Sequence, residues 1–275
     1  MEEFSVRSIA VKEHVFQELV PKEKLIPFSM FYAIGEDKNS FFITNDKNII
    51  IGQQRPTSPL WIYIKNQLSS NEIEEIMNVI GERLAVNPNL MVDGEEKNIK
   101  SILEEVSRIF GISFKVNIQK NSYVCHNTIK PEKASGHLSK VNESDLETLT
   151  VFSRDNWEDI GFGLLTSDQA RKFAKRKLVK EDFHVWRKED GRLVAMATVH
   201  KYGKIAFTDG VFTDRNERNK GYGKFLVYEI TKELLHGGFL PILYADCRQV
   251  VPNHVYKSIG YEYCGEITEY KFLSI

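Results

Sequence analysis

The sequence is poor in cysteine, lacks a long apolar run and carries almost no net charge. Its cysteines, Cys125, Cys247 and Cys264, lie far apart and outside any Cys-x-x-Cys pair, which excludes a disulfide framework and a structural zinc site. Apolar runs such as 193–199 are far shorter than the ~18 residues of a membrane-spanning helix. Lys and Arg number 37 against 38 Asp and Glu, a net charge of −1, so the overall balance calls for neither a nucleic-acid nor a membrane partner.

What is present is the composition of a globular protein. Of the 275 residues, 42% are hydrophobic and 27% are charged, which is enough to bury a core without disulfides or metals. Domains of ~100–200 residues favour two domains in a chain of this length. The N-terminal residues are interrupted by charge and offer no continuous apolar core for a signal peptide. We therefore expect a cytoplasmic protein in a reducing compartment.

The first half predicts alternating strands and helices. Short apolar runs bounded by turn residues predict strands at 40–44, 48–52, 60–65, 90–92 and 113–124, with a hairpin turn at 45–48. Ser69 and Glu72 have capping-box spacing and precede apolar residues at helical spacing. A second amphipathic helix follows and is stopped by Gly111. This order predicts a mixed α/β fold in which the later strands pair in parallel.

A linker is predicted at 127–136, where periodicity is lost and Pro, Gly, Ser and Lys occur together. It divides the chain into an N-terminal domain, 1–126, and a C-terminal domain, 137–275. Capping-box patterns at 144–147 and 166–169 predict helices. Further strands are predicted at 137–141, 183–187, 193–200, 205–213, 242–245 and 261–272, and further helices at 222–236 and 253–258. Both halves therefore predict the α/β class, a mixed sheet flanked by helices.

The segment most suggestive of chemistry is Arg-Asn-Lys-Gly-Tyr-Gly at 218–223, between a predicted strand and a predicted helix. Such a turn points several backbone amides one way, its glycines let an anion approach them, and the helix N-terminus adds positive potential. Arg218, Lys220 and Lys224 add charge suited to a diphosphate. The spacing is that of neither a dinucleotide Rossmann site nor a Walker P-loop. The alternative is a loop whose glycines serve turn geometry alone.

The stretch 211–224 resembles the acyl-CoA-binding motif of the GNAT N-acetyltransferase superfamily, in which a bulged strand leads into Arg/Gln-x-x-Gly-x-Gly/Ala and a helix. A second stretch, 245–261, resembles the family's Asn…Tyr-x-x-x-Gly-Phe/Tyr segment through Asn253, Tyr256 and Gly260. The resemblance is good over 137–275. It is architectural over 1–126, where no such glycine loop follows the strand at Trp61. It implies two GNAT-like domains, of which the N-terminal copy is degenerate.

The resemblance implies a role for each matching residue. The backbone at 211–213 would pair with pantetheine like an added strand, residues 218–223 would wrap the diphosphate with Lys224 close behind, and Asn253 would assist. The implied cofactor-binding residues are Val211, Phe212, Thr213, Arg218, Asn219, Lys220, Gly221, Tyr222, Gly223, Lys224 and Asn253. Tyr256 would be the general acid that protonates the CoA thiolate, since a phenol is protonated at neutral pH. Composition alone would make Tyr256 a core tyrosine.

The reaction implied by the resemblance is transfer of an acyl group from acetyl-CoA to a primary amine, with no metal. The acceptor would be a small molecule or a peptide, and the protein a monomer or homodimer. The amine must be delivered neutral. Asp209, Asp246 or a chain of waters could accept its proton, and the sequence leaves these alternatives open. Cys247 has no His/Asn partner pattern and is interpreted as a small packing residue rather than a nucleophile.

Three other functions compete with this interpretation. The run 171–180 has six cations and could bind nucleic acid, but no aromatic interleaving or second basic cluster accompanies it, which favours a solvated helix face. A non-catalytic acyl-CoA sensor or partner-binding module would keep the cofactor loop without turnover. A tandem GNAT that uses aminoacyl-tRNA is disfavoured by the intact glycine loop.

Overall fold

The computed structural model describes residues 5–6, 9–132, 135–161 and 163–273. The ends of the two predicted domains, 1–4, 7–8 and 274–275, and residues 133–134 of the predicted linker lie outside the described residues. Twelve strands and nine helices occur in the described part of the chain. The strands are β1 (Ser5–Val6), β2 (Phe41–Thr44), β3 (Ile49–Gln53), β4 (Leu60–Ile64), β5 (Met91–Gly94), β6 (Ser113–Cys125), β7 (His137–Ser139), β8 (Phe183–Arg187), β9 (Leu193–Tyr202), β10 (Ile205–Thr213), β11 (Leu240–Asp246) and β12 (Tyr261–Leu273). The helices are α1 (Ile9–Leu19), α2 (Lys22–Leu25), α3 (Met30–Glu36), α4 (Ser70–Val86), α5 (Glu96–Phe110), α6 (Leu146–Asp159), α7 (Ser167–Leu178), α8 (Tyr222–His236) and α9 (Val250–Ser258).

The chain forms two compact units whose segments interleave. The first unit holds the residues up to 123, 244–253 and those from 263 on, and the second holds 124–243 and 254–262. The predicted domains at 1–126 and 137–275, with their linker, stay a prediction. The α/β class with a mixed sheet flanked by helices is confirmed, because both antiparallel and parallel strand pairs occur.

In the first unit, the strands β3 and β4 are buried on both faces. β2, β3 and β4 pair antiparallel, β4 pairs parallel with β5, and β5 pairs antiparallel with β12. Successive side chains of a strand point to opposite faces, so Ile49 and Ile51 pack with α4 and α5 while Ile50 packs with α1 and α3. The helices α1 to α3 were not among the predicted elements, yet they cover the second face of these apolar strands.

Capping residues and a terminal glycine determine where several of the predicted helices begin or end. The capping boxes of Ser69 with Glu72 and of Thr166 with Gln169 are both confirmed. Gly111 ends α5 in the left-handed conformation, with φ of 64°. The predicted box at 144–147 is wrong, because Asn142 caps a short 3-10 turn with Asp145 as its reciprocal partner and α6 starts after it. Asn is as good an N-cap as Ser, and the earlier cap takes precedence here.

The second unit places helices on both faces of β8, β9 and β10. These strands pair antiparallel, β7 joins β8, and β10 pairs in parallel with β11 through Ile205–Phe207. The helix α8 packs on one face through Phe225, Leu226 and Ile230. The other face packs against α6 and α7 through residues that include Met196 and Phe212. The glycine loop therefore connects the strand β10 to the helix α8 within one unit.

Candidate functional site

The strand β10 is bulged where the resemblance implies a bulge. Its register with β9 shifts between Asp209 and Phe212, which pair with Thr198 and Met196 respectively. Gly210 lies in this interval with φ of 61°, a backbone conformation that glycine adopts without strain. The bulge places one extra residue in β10 and changes the direction of its backbone just before 211–213.

The loop after β10 leaves the start of α8 without a side-chain cap. Asn219 and Gly221 both have positive φ, 63° and 84°. Gly221 is the N-cap residue; its carbonyl accepts the first helical hydrogen bond, from the Phe225 N–H at 3.0 Å, but it has no side chain to cap the preceding amides. The first amides of a helix have no intrahelical partner, so those of Tyr222, Gly223 and Lys224 face outward from an uncapped helix N-terminus, where the helix dipole favours an anion.

Gly223 is required by a close approach rather than by its φ. A Cβ atom on this residue would lie 2.6 Å from Thr213 Oγ1, which is closer than any ordinary non-bonded contact. The absence of a side chain therefore lets the first turn of α8 lie directly against the end of β10. The two glycines of the motif thus differ in role: Gly221 allows the positive φ of the turn, and Gly223 allows α8 to pack closely against β10.

A cleft of about 410 Å³ opens at this helix N-terminus. Its described lining consists of Lys130, Pro131, Glu132, Lys220, Gly221, Lys224, Phe225 and Ser258. Three lysines and one glutamate give this lining a positive formal charge. Lys220 is bound to Glu217 at 2.8 Å, whereas Lys130 and Lys224 form no ion pair with any residue that the structure describes. Two cations of the cleft are therefore free to meet an anionic ligand.

Lys130 reaches the cleft because the segment after β6 is docked on a glycine. Ile129 donates its N–H to the carbonyl of Ile259 at 2.9 Å. Gly260 has φ of 105°, and a Cβ on it would lie 2.2 Å from the Asn127 carbonyl oxygen. The segment 127–136 is predicted as a linker, and no motif marks Lys130 as a site residue; its place beside a proline is a weak signal.

Arg218 lies in the loop, but its guanidinium is engaged elsewhere. It forms an ion pair with Asp159 at the end of α6 and donates to the Thr213 carbonyl at 3.3 Å. Arg215 binds the other oxygen of Asp159 at 2.5 Å. Burial by itself would raise the pKa of Asp159, but the hydrogen bonds from both arginines outweigh it and lower that pKa. Arg218 therefore anchors the loop to α6, and its side chain is absent from the described lining of the cleft.

Tyr256 is a buried residue of α9, with 9% of its surface exposed. Its ring meets that of Tyr261 edge to face, with centroids 6.1 Å apart. Tyr261 is hydrogen-bonded to Thr231 at 2.8 Å, and burial raises the pKa of its phenol. Ser258, two residues beyond Tyr256, lines the cleft, but Tyr256 itself does not appear in the described lining. Its role as a general acid stays a prediction.

Asn253, in the first unit, makes four hydrogen bonds to the protein through its side-chain carboxamide. Its side-chain oxygen accepts hydrogen bonds from Tyr123 Oη at 2.6 Å and from Asn121 Nδ2 at 2.9 Å. Its amide nitrogen donates to the carbonyls of Asp246 and Gln249, each at 2.7 Å. Four protein partners thus hold the carboxamide, and its predicted part in cofactor binding stays a prediction.

The two candidate bases differ in their environments. Asp246 is bound by Arg248 through both carboxylate oxygens, and these hydrogen bonds lower its pKa. Asp209 is exposed at the bulge of β10 and accepts from the Gly210 N–H at 2.6 Å. A carboxylate held as an ion by arginine is the poorer proton acceptor. The pKa of Cys247 is raised by burial, which keeps the thiol protonated and disfavours a covalent mechanism.

The described residues contain no group of three or more His, Cys, Asp or Glu side chains that could hold a metal ion. Among the helices that the structure describes, none is long and apolar enough to cross a membrane.

Comparison with known proteins finds a family match within the second half of the chain. The model of the acetyltransferase (GNAT) family matches residues 148–261, a range that includes the bulge, the glycine loop and Tyr256. No curated protein sequence matches the chain.

Solved structures extend the similarity to nearly the whole chain. A GNAT-family acetyltransferase from Colwellia psychrerythraea is 13% identical, with a TM-score of 0.57 over 98% of this chain and 100% of that one. A GCN5-related N-acetyltransferase from Kribbella flavida is 13% identical, with a TM-score of 0.62 over 92% and 96%. A GCN5-related N-acetyltransferase-like protein from Streptococcus suis is 13% identical, with a TM-score of 0.55 over 95% and 100%. At such identities the likeness establishes the fold alone. The resemblance predicted from the sequence is confirmed: residues 148–261 match the model of the acetyltransferase (GNAT) family, and structures with a GNAT fold cover nearly the whole chain.

Proposed function

We propose that the protein is an acetyl-CoA-dependent N-acetyltransferase that acylates a primary amine by direct attack in a ternary complex. The observation that supports this proposal most directly is the cationic cleft at the N-terminus of α8. Coenzyme A is a polyanion, and the cleft offers Lys130, Lys220 and Lys224 beside uncapped backbone amides. Charge-assisted hydrogen bonds to phosphate are among the strongest that a protein makes. The family match supports the same chemistry.

The remaining part of the cofactor would follow β10. The parallel ladder between β10 and β11 covers Ile205–Phe207, and 211–213 lie beyond it on the same strand. The backbone there would hold the pantetheine amides by strand-like hydrogen bonds. In the loop, the backbone of Arg218 and Asn219 would bind the diphosphate together with the cleft lysines, while the Arg218 side chain keeps the loop on α6.

The reaction moves one acyl group and two protons. The lone pair of the neutral amine attacks the thioester carbonyl carbon, the carbon–sulfur bond breaks, and the thiolate takes a proton from the Tyr256 phenol. The nitrogen loses its extra proton to Asp209 or to water, and Asp246 is disfavoured because Arg248 holds it as an ion. The raised pKa of Cys247 supports direct attack rather than an acyl-cysteine intermediate.

The test combines binding with turnover. We expect calorimetry to detect acetyl-CoA binding that is weakened about 10-fold or more by Lys224→Met, since a hydrogen bond to a charged group contributes ~1.5–3 kcal/mol. Lys172→Met, an exposed change on α7, is the matched control. Release of free CoA thiol with members of an amine library would then establish transfer. Absence of acetyl-CoA binding overturns the proposal, and binding without turnover of any amine supports the acyl-CoA sensor instead.

A further inference from the structure

One face of the second unit's sheet changes from apolar to polar along β9. Cross-strand partners share a face, and the register pairs Thr198 with Asp209 and His200 with Phe207. Side chains two residues apart also share a face, so Met196, Thr198 and His200 point the same way as Asp209. Met196 belongs to the apolar cluster beneath α6 and α7. The polar residues continue this face beyond the apolar cluster, directly beside the bulge of β10.

The helix α7 and the residues just after it place two lysines over this polar face. The Lys177 ammonium lies 3.2 Å from Met196 Sδ and 5.4 Å from the centre of the Phe183 ring. Lys180 Nζ lies 3.5 Å from His200 Nδ1. Both lysines are half-buried. A thioether is a weak acceptor, so neither the sulfur nor the ring satisfies the Lys177 charge.

The cluster has more cations than carboxylates. Burial lowers the pKa of Lys177 to about 8; Asp209 acts against this shift and Lys180 adds to it. Burial likewise lowers the pKa of Lys180 and of His200. No carboxylate of the described residues lies within 4 Å of either lysine nitrogen, and the nearby Asp182 is bound to Lys201 at 2.8 Å. Asp209 is therefore the acid whose field acts on both lysines, and Asp182, which also acts on Lys180, is paired with Lys201.

We propose that this cluster is the acceptor subsite and that it takes an amine that also carries a carboxylate, such as an amino acid. Lys177 and Lys180 hold the carboxylate, and Asp209 faces the amine. The inference rests on the proposed function, in which the pantetheine that carries the acyl group follows 211–213, at the bulge of β10. A half-buried ammonium whose best acceptor is a thioether gains a charge-assisted hydrogen bond from such a ligand. The polar side chains of Thr198, His200 and Asp209, on the same face of the sheet, offer further hydrogen-bonding groups to such a ligand.

The experiment compares matched acceptors and matched variants. Values of kcat/KM with acetyl-CoA are measured for the common amino acids and for their carboxamides. We expect the wild type to prefer the best acid over its amide about 10-fold or more. The amine of the carboxamide is less basic, so a larger fraction of it is neutral at pH 7. Reactivity alone would therefore favour the amide, and a preference for the acid must come from recognition of the carboxylate. Lys177→Met should lower kcat/KM for the acid by about 10- to 100-fold and leave the amide within about two-fold.

Controls separate this inference from the proposed function. Lys175→Met, on an exposed position of α7, should change neither substrate, and Lys177→Arg should restore part of the acid preference. Calorimetry with acetyl-CoA should show unchanged affinity in Lys177→Met, which verifies that the variant is folded. Equal use of acids and amides, or an equal loss for both in Lys177→Met, as expected of a general base, overturns the inference while acetyl transfer stands. Failure to bind acetyl-CoA or to acylate any amine overturns the proposed function and the inference with it.

Discussion

At the scale of the residue, Gly223 carries the most specific steric constraint in the loop. Alanine is normally the better helix former, but a Cβ on Gly223 would lie 2.6 Å from Thr213 Oγ1. We expect Gly223→Ala to lower the free energy of unfolding by about 1–3 kcal/mol, as overpacking does, and to weaken acetyl-CoA binding. Urea unfolding and calorimetry measure the two effects.

A second substitution, at Thr213, allows a double-mutant cycle with Gly223→Ala. Thr213→Ala removes the hydroxyl and leaves room for the new methyl group, so the double variant should recover most of the lost stability. If the two changes are additive, the contact between Gly223 and Thr213 does not determine the packing of α8 on β10.

A substitution of Tyr256 tests whether its phenol is the general acid. We expect Tyr256→Phe to reduce kcat about 100-fold or more, because general acids contribute ~10²–10⁴-fold, while acetyl-CoA affinity is retained. The thiol-release assay and calorimetry give the two values.

The matched control for Tyr256 is Tyr261→Phe. It removes a hydroxyl that binds Thr231 and should cost about 1 kcal/mol of stability without a comparable loss of kcat. Unchanged turnover in Tyr256→Phe would assign the proton to water or to another group.

At the scale of the element, the sequence predicts what local chemistry determines. The helix predicted at 222–236 matches α8, because a glycine turn precedes it and Gly237 and Gly238 follow it. The patterns also show short apolar strands at β3 and β4, whose residues are all buried. A run that is apolar on both faces needs two covering layers, and this requirement is the signal that could have indicated α1 and α3.

Three strands of the first unit share a buried charge cluster that no motif indicates. Lys120 of β6 donates to both oxygens of Asp93 of β5 at 2.9 Å and to Glu269 of β12 at 2.5 Å. All three side chains are at most 15% exposed. Burial raises the pKa of Asp93 to about 7; Lys120 acts against the shift and Glu269 adds to it. Two carboxylates thus share one buried ammonium.

This cluster predicts a pH dependence of stability. Because the pKa of Asp93 is higher in the folded state than its unfolded value near ~3.9, the folded protein binds more protons between these two values. The contribution of Asp93 to stability is therefore full below about pH 4 and is lost as the pH rises through about 7. Asp93→Asn removes this titration. Urea unfolding from pH 5 to 8 should show wild-type stability falling relative to the variant, by at most about 1.4 kcal/mol per pH unit. Parallel profiles would mean that Asp93 titrates with an ordinary pKa.

At the scale of the whole molecule, long-range pairing limits what the sequence can predict. The ladder between β5 and β12 joins Asp93 to Glu269, and no local pattern in either segment specifies the other. The strands β6, β11 and β12 each contribute residues to both compact units, which a division of the chain at a single linker does not anticipate. The candidate site was more predictable, because its bulge, loop and helix are contiguous in sequence. Lys130 and Lys177 were not predicted as site residues, because their neighbours at the cleft and over the sheet come from distant segments.

The salt dependence of acetyl-CoA binding tests the local charges of the cleft, because the chain as a whole is almost neutral. With a net charge of −1, the protein as a whole does not attract an anion, so any electrostatic affinity for acetyl-CoA must come from the local lysines of the cleft. Salt shortens the screening length from about 10 Å at 0.1 M to about 3 Å at 1 M. We expect the Kd of acetyl-CoA to rise by about 10-fold between about 0.05 and 1 M KCl, and the Kd of acetyl-pantetheine, which lacks the phosphates, to change little. Calorimetry at several salt concentrations measures both ligands. An equal salt effect on the two would show that phosphate recognition by Lys130, Lys220 and Lys224 is not the source of affinity, whereas a difference that disappears when Lys130 and Lys224 are both replaced by Met would place the recognition in this cleft.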